Sequence, residues 1–70
     1  MCVIIIKQKD NVMSEDIAKT SSKINPDGLG IVWLDTFKVT YHNSDEYKLL
    51  LTNRPFIAHI RYATKGAVNL

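Results

Sequence analysis

The feature that most constrains the fold of this chain is a run of four β-branched aliphatic residues at positions 3–6, directly after Met1 and Cys2. Such side chains favour strands, because they lose rotamer freedom in a helix and pack well on a pleated surface. The run does not alternate with polar residues, which is typical of a strand buried on both faces. We therefore predict a first strand over residues 3–7 and expect the rest of the chain to cover it.

The length and composition limit the class of protein. A chain of 70 residues makes one small domain, which hides only about 60% of its unfolded surface. The apolar content of 46% is that of a folded protein and excludes simple disorder. The net charge of +2 is small and spread along the chain, so neither a nucleic acid nor a membrane surface is expected as a partner.

Cysteine content and hydropathy bear on the compartment and on metal binding. The single cysteine excludes an internal disulfide, and the N-terminus lacks the pattern of a secretory signal. No apolar stretch approaches the roughly 18 residues that cross a bilayer. These features predict a cytoplasmic protein. One cysteine and two distant histidines offer no zinc-ligand spacing, so neither a metal nor a cofactor is expected.

Capping signals predict two helices. Ser14, followed by two acidic residues, predicts a helix over residues 15–23, because a serine caps the free N–H groups and acids favour the positive end of the helix dipole. Ser44, also followed by two acids, predicts the cap of a second helix. That helix should end before Pro55, because the residue preceding a proline is disfavoured in the α region.

Turn signals predict the remaining strands. Residues 25–28, Asn-Pro-Asp-Gly, predict a turn, and a hairpin with strands over residues 31–34 and 37–41 follows. The last strand is predicted over residues 56–62, with Ile57, His59 and Arg61 on one of its faces. The predicted order is β-α-β-β-α-β, which makes an α+β fold. The abrupt end after it suggests the opening part of a larger domain.

Cys2 is a candidate nucleophile. After removal of Met1 it carries a thiol and a free α-amino group. Such an amine titrates at about pH 8 in short peptides, so a base lies beside the nucleophile near neutral pH. Enzymes with an N-terminal nucleophile use this arrangement. The alternative is an ordinary cysteine that happens to follow the initiator.

Three stretches together resemble a known family. They are Met1-Cys2, residues 25–30 (Asn-Pro-Asp-Gly-Leu-Gly) and residues 58–66 (Ala-His-Ile-Arg-Tyr-Ala-Thr-Lys-Gly). In this order and spacing they resemble the start of a class II glutamine amidotransferase domain, in particular its small stand-alone branch. Members of this family are N-terminal-nucleophile hydrolases with a four-layer αββα sandwich. The resemblance implies that residues 1–70 are the N-terminal fragment of one such domain, with the oxyanion-hole donors further along.

The resemblance also implies an activity and a set of site residues. In the family, the N-terminal cysteine hydrolyses the side-chain amide of glutamine and releases ammonia, with its own α-amino group relaying the proton. Cys2 would be this nucleophile, and Arg61 would bind the α-carboxylate of the substrate through its planar fork. Thr64 would add a bond to the same carboxylate, and Lys65 and Gly66 would close around it.

The loop before the hairpin has two interpretations. The resemblance implies a site-shaping wall made by Asn25, Asp27, Gly28 and Gly30. Turn chemistry alone accounts equally well for Pro26 and Gly28.

Other residues that can carry chemistry are expected to be structural. His59 lies inside a predicted strand, where a histidine is usually hydrogen-bonded within the fold. His42 follows the hairpin and should be solvated. Trp33 and Tyr41 are expected in the core or on the surface of the sheet.

Two functions remain open from the sequence. The first is hydrolysis of glutamine or another γ-glutamyl compound by a larger domain, whose missing C-terminal part completes the site. The second is a non-catalytic structural or interaction module derived from the same fold. In that case a protein partner would cover the exposed strand edges, because unpaired edges recruit further strands.

Overall fold

The computed structural model describes residues 2–61 of the chain. The elements follow in the order β1 (Val3–Lys7), α1 (Glu15–Ile24), β2 (Gly28–Trp33), β3 (Lys38–His42), a 3₁₀ helix (Ser44–Leu50) and β4 (Phe56–Arg61). The strands form one antiparallel sheet in the order β1-β4-β2-β3. The predicted α+β class and order of elements are thereby confirmed for this part of the chain.

The core lies between one face of the sheet and the two helices. Ala18 of α1 and Leu50 of the 3₁₀ helix are fully buried against strand side chains that point to the same face; these are Leu29, Ile31, Trp33, Phe56, Ala58 and Ile60. The rings of Trp33 and Phe56 meet edge to face, with centroids 5.8 Å apart. Alternation along β2 and β4 therefore places every second residue of these two strands in this core.

The opposite face of the sheet, the open face, is not covered by any element within residues 2–61. Ile4 and Ile6 of β1 are 67% and 73% exposed there, and Tyr41 of β3 is 82% exposed. The prediction that β1 is buried on both faces is wrong. The reason is topological: among the described strands β1 lies at the edge of the sheet and pairs only with β4, and both helices pack on the other face.

The first helix follows its prediction closely. It covers Glu15–Ile24, with Glu15 and Asp16 in its first turn and Ser14 at its N-cap. The expected capping bond is absent: the Ser14 side chain accepts no hydrogen bond from the free N–H groups of the helix. The other end is held by Asn25, whose backbone N–H and side-chain Nδ2 both donate to the carbonyl of Ser21, at 3.0 and 2.9 Å.

The hairpin begins earlier than predicted. Strand β2 starts at Gly28, three residues before the expected position, because it pairs with β4 on one side and with β3 on the other. Glycines in a sequence favour turns, whereas here Gly28 pairs with Arg61 of β4, and Gly30 pairs with residues of both β3 and β4. The predicted turn at residues 35–36 is present, and it ends with the N–H of Phe37 bonded to the carbonyl of Trp33 at 2.7 Å.

The second helix differs from its prediction in type and in cap. It is a short 3₁₀ helix with a kink at Glu46. Asn43, and not Ser44, occupies the cap position, and its N–H donates to Glu46 Oε2 at 2.8 Å. Ser44 Oγ instead donates to the carbonyl of Pro26 at 3.1 Å, which ties this helix to the turn before β2. Within residues 2–61 no helix is both long enough and apolar enough to cross a membrane.

Candidate functional site

The sheet order brings the sequence motifs to one end of the sheet. Arg61 of β4 lies directly opposite Gly28 of β2, and one position further in, Ile60 lies opposite both Leu29 and Val3. Cys2, which is exposed, immediately precedes Val3. The candidate nucleophile therefore lies at the same end as Arg61, one strand away from it. The glycine-containing strand flanks Arg61 on the other side.

A groove of about 230 Å³ opens beside Arg61. Residues from β2, β3, β4 and the adjoining turns line it; they are Asp27, Gly28, Leu29, Gly30, Tyr41, His42, Asn43, His59 and Arg61. Four residues of the predicted site are among them, namely Asp27, Gly28, Gly30 and Arg61. Residues 27–30 and Arg61 are thus brought together although more than 30 positions separate them in the sequence.

The backbone of Arg61 is fixed by a hydrogen bond, and its side-chain Nε has no hydrogen-bond partner among residues 2–61. Its carbonyl accepts the N–H of Asp27 at 2.9 Å, which fixes the end of β4 against the turn before β2. The side chain is half-buried, and its Nε is shielded from solvent without a hydrogen-bond partner among residues 2–61. A guanidinium with unsatisfied donors suits a carboxylate, which can accept two parallel bonds from it.

The two glycines of β2 form the floor of the groove. Gly28 has a φ of +142°, a conformation that is essentially reserved for glycine. Gly30 has no such requirement, and among residues 2–61 a Cβ built there would meet only the ring of Tyr41, at 3.6 Å. Two side-chain-free positions on one face leave the backbone of β2 accessible between its neighbouring strands.

Asn25 lies away from the groove. It is only 1% exposed, and its side chain donates to the end of α1, so its part is to terminate the helix. The other predicted substrate-binding residues, Thr64, Lys65 and Gly66, fall outside the described part of the chain.

The two histidines differ from their expectations. His59 is exposed and lines the groove, and its side chain makes no hydrogen bond within residues 2–61. His42, expected to be solvated, is half-buried: its Nε2 lies 2.8 Å from Thr40 Oγ1 and its Nδ1 3.7 Å from Glu46 Oε2. Thr40 also accepts the Trp33 Nε1–H at 2.9 Å, so His42 belongs to a polar chain that joins β2, β3 and the 3₁₀ helix.

Sequence reasoning missed His59 and Tyr41 as groove residues. The period of two along β4 already placed His59 on the same face as Arg61, and that signal was available. Tyr41 enters the groove because β3 pairs it with Gly30, and this register is not visible before the strands are paired. Both Trp33, in the core, and Tyr41, on the surface of the sheet, are where they were expected.

Asp35 and Arg54, whose pKa values are shifted, lie away from this groove. Arg54 donates from Nε and Nη2 to the two carboxylate oxygens of Asp35, at 2.8 and 2.9 Å, and this bond lowers the pKa of Asp35. Within residues 2–61, no three His, Cys, Asp or Glu side chains are placed to hold a metal ion.

Comparison with known proteins gave no relative: no family model, curated protein or solved structure matches this chain.

Proposed function

We propose that this chain is the N-terminal part of a class II glutamine amidotransferase domain, in which Cys2 hydrolyses the side-chain amide of glutamine or another γ-glutamyl compound. The observation that carries the proposal is the order of three strands: β1, which follows Cys2, lies beside the strand of Arg61, and this lies beside the strand of Gly28. Within residues 2–61, Cys2, Gly28 and Arg61, one residue from each stretch that resembles the family, thus lie at one end of the sheet.

The chemistry uses groups of the chain itself. With Met1 removed, the α-amino group of Cys2 accepts the thiol proton, and the thiolate attacks the amide carbon of the substrate. The protonated amine then returns the proton to the leaving nitrogen, so that ammonia departs and a γ-glutamyl thioester remains on sulfur. Water hydrolyses the thioester to glutamate and restores the thiol.

Arg61 binds the substrate in this scheme. Its guanidinium binds the α-carboxylate, which orients the side-chain amide towards the N-terminal strand. Thr64, Lys65 and Gly66 add to this carboxylate site by the same resemblance. Donors for the oxyanion come from the C-terminal part of the domain, and each such donor contributes about 10²–10³-fold to the rate.

The open face supports the four-layer αββα architecture as the complete fold. Helices cover one face of the sheet, while Ile4, Ile6, Val39 and Tyr41 expose apolar surface on the other. A second sheet packed at about 10 Å would bury this face, and its own helices would form the fourth layer. The missing part of the domain supplies these layers in our proposal.

The edge position of β1 favours a second candidate function. An apolar edge strand with unpaired backbone groups recruits a further strand, and β1 is such an edge within residues 2–61. As a non-catalytic module, the chain would use this edge and the open face to bind a protein partner. It would then tolerate Cys2→Ser and would not need Met1 to be removed.

Intact-mass spectrometry after exposure to an electrophilic glutamine analogue separates the two candidates. For the enzyme we expect loss of Met1 and one adduct, which is absent in Cys2→Ser and in a variant that retains Met1. In the natively expressed protein, absence of labelling at Cys2, or equal labelling of the Met1-retaining variant, would exclude an N-terminal nucleophile and leave the binding module.

A further inference from the structure

A second groove lies between the two helices, on the side of the sheet opposite to the open face. Its volume is about 370 Å³, which is within the range of small-molecule sites, about 300–1,000 Å³. Within residues 2–61 it shares no lining residue with the groove beside Arg61. The four-layer architecture of the proposed function leaves the helices outermost, so the second sheet does not cover this groove.

Ser22 brings a buried hydroxyl to the α1 wall of this helical groove. The residue lines the groove and is only 4% exposed, and its Oγ has no hydrogen-bond partner among residues 2–61. A serine inside a helix commonly donates to the carbonyl four residues earlier, and Ser22 does not. A buried donor without a partner costs stability. Packing alone therefore does not account for serine here, because alanine would fill the same space without that cost.

Two lysines flank Ser22 on the same stripe of α1. Lys19, Ser22 and Lys23 stand at i, i+3 and i+4, which places their side chains next to one another on the helix surface. Both lysines are exposed and line the groove, and neither ammonium lies within 4 Å of a carboxylate among residues 2–61. The α1 wall thus offers two positive charges and one unpaired hydroxyl donor.

The other walls come from the turn before β2 and from the 3₁₀ helix. Pro26 and the half-buried Tyr47 give them apolar surface, and Asp45 is the one acid of the described lining. Ser44 Oγ donates to the carbonyl of Pro26 at 3.1 Å, which fixes the 3₁₀ helix against the turn. The groove therefore suits a ligand with an anionic group against α1 and an apolar body beside Pro26 and Tyr47.

We propose that this groove binds a phosphate monoester carried on a small apolar or aromatic body. Such a group has a charge of about −1.5 to −2 at pH 7 and three terminal oxygens. These match the two ammonium groups and the Ser22 hydroxyl, each of which donates to an anionic oxygen. A carboxylate matches less well, because it has a single charge and two oxygens. The site uses neither Cys2 nor Arg61 and is independent of the proposed function.

The test titrates the natively expressed protein with phenyl phosphate and with inorganic phosphate, and follows the ³¹P resonance of each ligand. We expect phenyl phosphate to bind at least about fivefold more tightly, which corresponds to about 40 Å² of apolar surface buried by the ring. Ser22→Ala should weaken its binding at least about fivefold, because a hydrogen bond to a charged group is lost. Lys19→Gln combined with Lys23→Gln should weaken it by a similar factor.

Ser21→Ala and Lys38→Gln are the matched controls. Ser21 is the neighbour of Ser22 on α1, Lys38 is an exposed lysine on β3, and neither lines the groove. Both variants should therefore bind phenyl phosphate as the wild type does. Thermal unfolding separates binding from folding: Ser22→Ala removes an unpaired buried hydroxyl, so it should melt at or above the wild type.

Three results would overturn the inference. They are unchanged binding of phenyl phosphate in Ser22→Ala, equal affinity of the wild type for the two phosphates, and a marked fall in the Tm of Ser22→Ala, which would give the hydroxyl a structural role. None of these results bears on the labelling of Cys2, so the proposed function is tested separately.

Discussion

Alanine at Gly28 is expected to destabilise the fold, whereas alanine at Gly30, two positions along the same strand, should be neutral or stabilising. The two substitutions add the same methyl group to the same face of β2. They differ in backbone conformation, because Gly28 has a φ of +142° while Gly30 does not need positive φ. The pair therefore isolates the cost of the backbone at the start of β2.

The magnitudes follow from this geometry. An L-residue held at the φ of Gly28 costs about 1–3 kcal/mol, and no heavy atom of residues 2–61 lies within 4 Å of the new Cβ to add a steric clash. At Gly30 the alanine gains about 0.5–1 kcal/mol from the lower entropy of its unfolded chain. The difference of about 1.5–4 kcal/mol corresponds to a Tm difference of about 6–32 °C for a domain of this size.

Thermal unfolding followed by circular dichroism and by Trp33 fluorescence measures both variants. Trp33 is buried against Phe56, so its emission reports the loss of the core. We expect Gly28→Ala to melt well below the wild type and Gly30→Ala at or above it. Equal Tm values for the two variants would refute the reasoning, because they would show that the positive φ of Gly28 carries no cost for an alanine.

Three further predictions concern the core, the open face and the far end of the sheet. Phe56→Ala should cost about 3–5 kcal/mol in urea unfolding, because Phe56 is fully buried in the core; a cost below about 1 kcal/mol would contradict its placement. Ile6→Lys should change the free energy of unfolding of this chain in urea by less than about 0.5 kcal/mol, since the side chain is 73% exposed; marked unfolding would show that the open face is covered within the chain. The Arg54 bond lowers the pKa of Asp35, so the pair stabilises the fold above the unfolded-state value of about 3.9 and loses this contribution as the pH falls through the lower folded value. The Tm of Asp35→Asn should therefore fall less than that of the wild type between about pH 5 and pH 2, and parallel pH profiles would exclude the linkage.

Local signals in the sequence were sufficient for the order of the elements and for the type of each except the second helix, which is a 3₁₀ helix. The β-branched run predicted β1, and the paired acids after Ser14 predicted α1 to within one residue. What failed depended on partners distant in the sequence. The exposure of Ile4 and Ile6 follows from the edge position of β1, and the early start of β2 follows from the pairing of Gly28 with Arg61. Neither the pairing of β1 with β4 nor that of Gly28 with Arg61 can be predicted from a short stretch of sequence.

In the candidate site, too, local motifs predicted some residues, and strand pairing placed others. Arg61 and the glycines were identified from motifs, and the structure brings them into one groove. Tyr41 was not identified because it reaches the groove through its pairing with Gly30, whereas His59 was missed although the period of two along β4 places it on the face of Arg61. Asn25 was grouped with the site because it belongs to the loop motif, yet its side chain faces the end of α1.

The most direct test of the central claim, that Cys2 and Arg61 belong to one glutamine site, is protection of the Cys2 thiol from iodoacetamide by free L-glutamine. We expect glutamine to slow alkylation of the wild type, and to have no effect on Arg61→Gln because the α-carboxylate loses its partner. Arg54→Gln, which removes an arginine at the other end of the sheet, should remain protected. Absence of protection in the wild type, or equal protection in Arg61→Gln, would contradict the account.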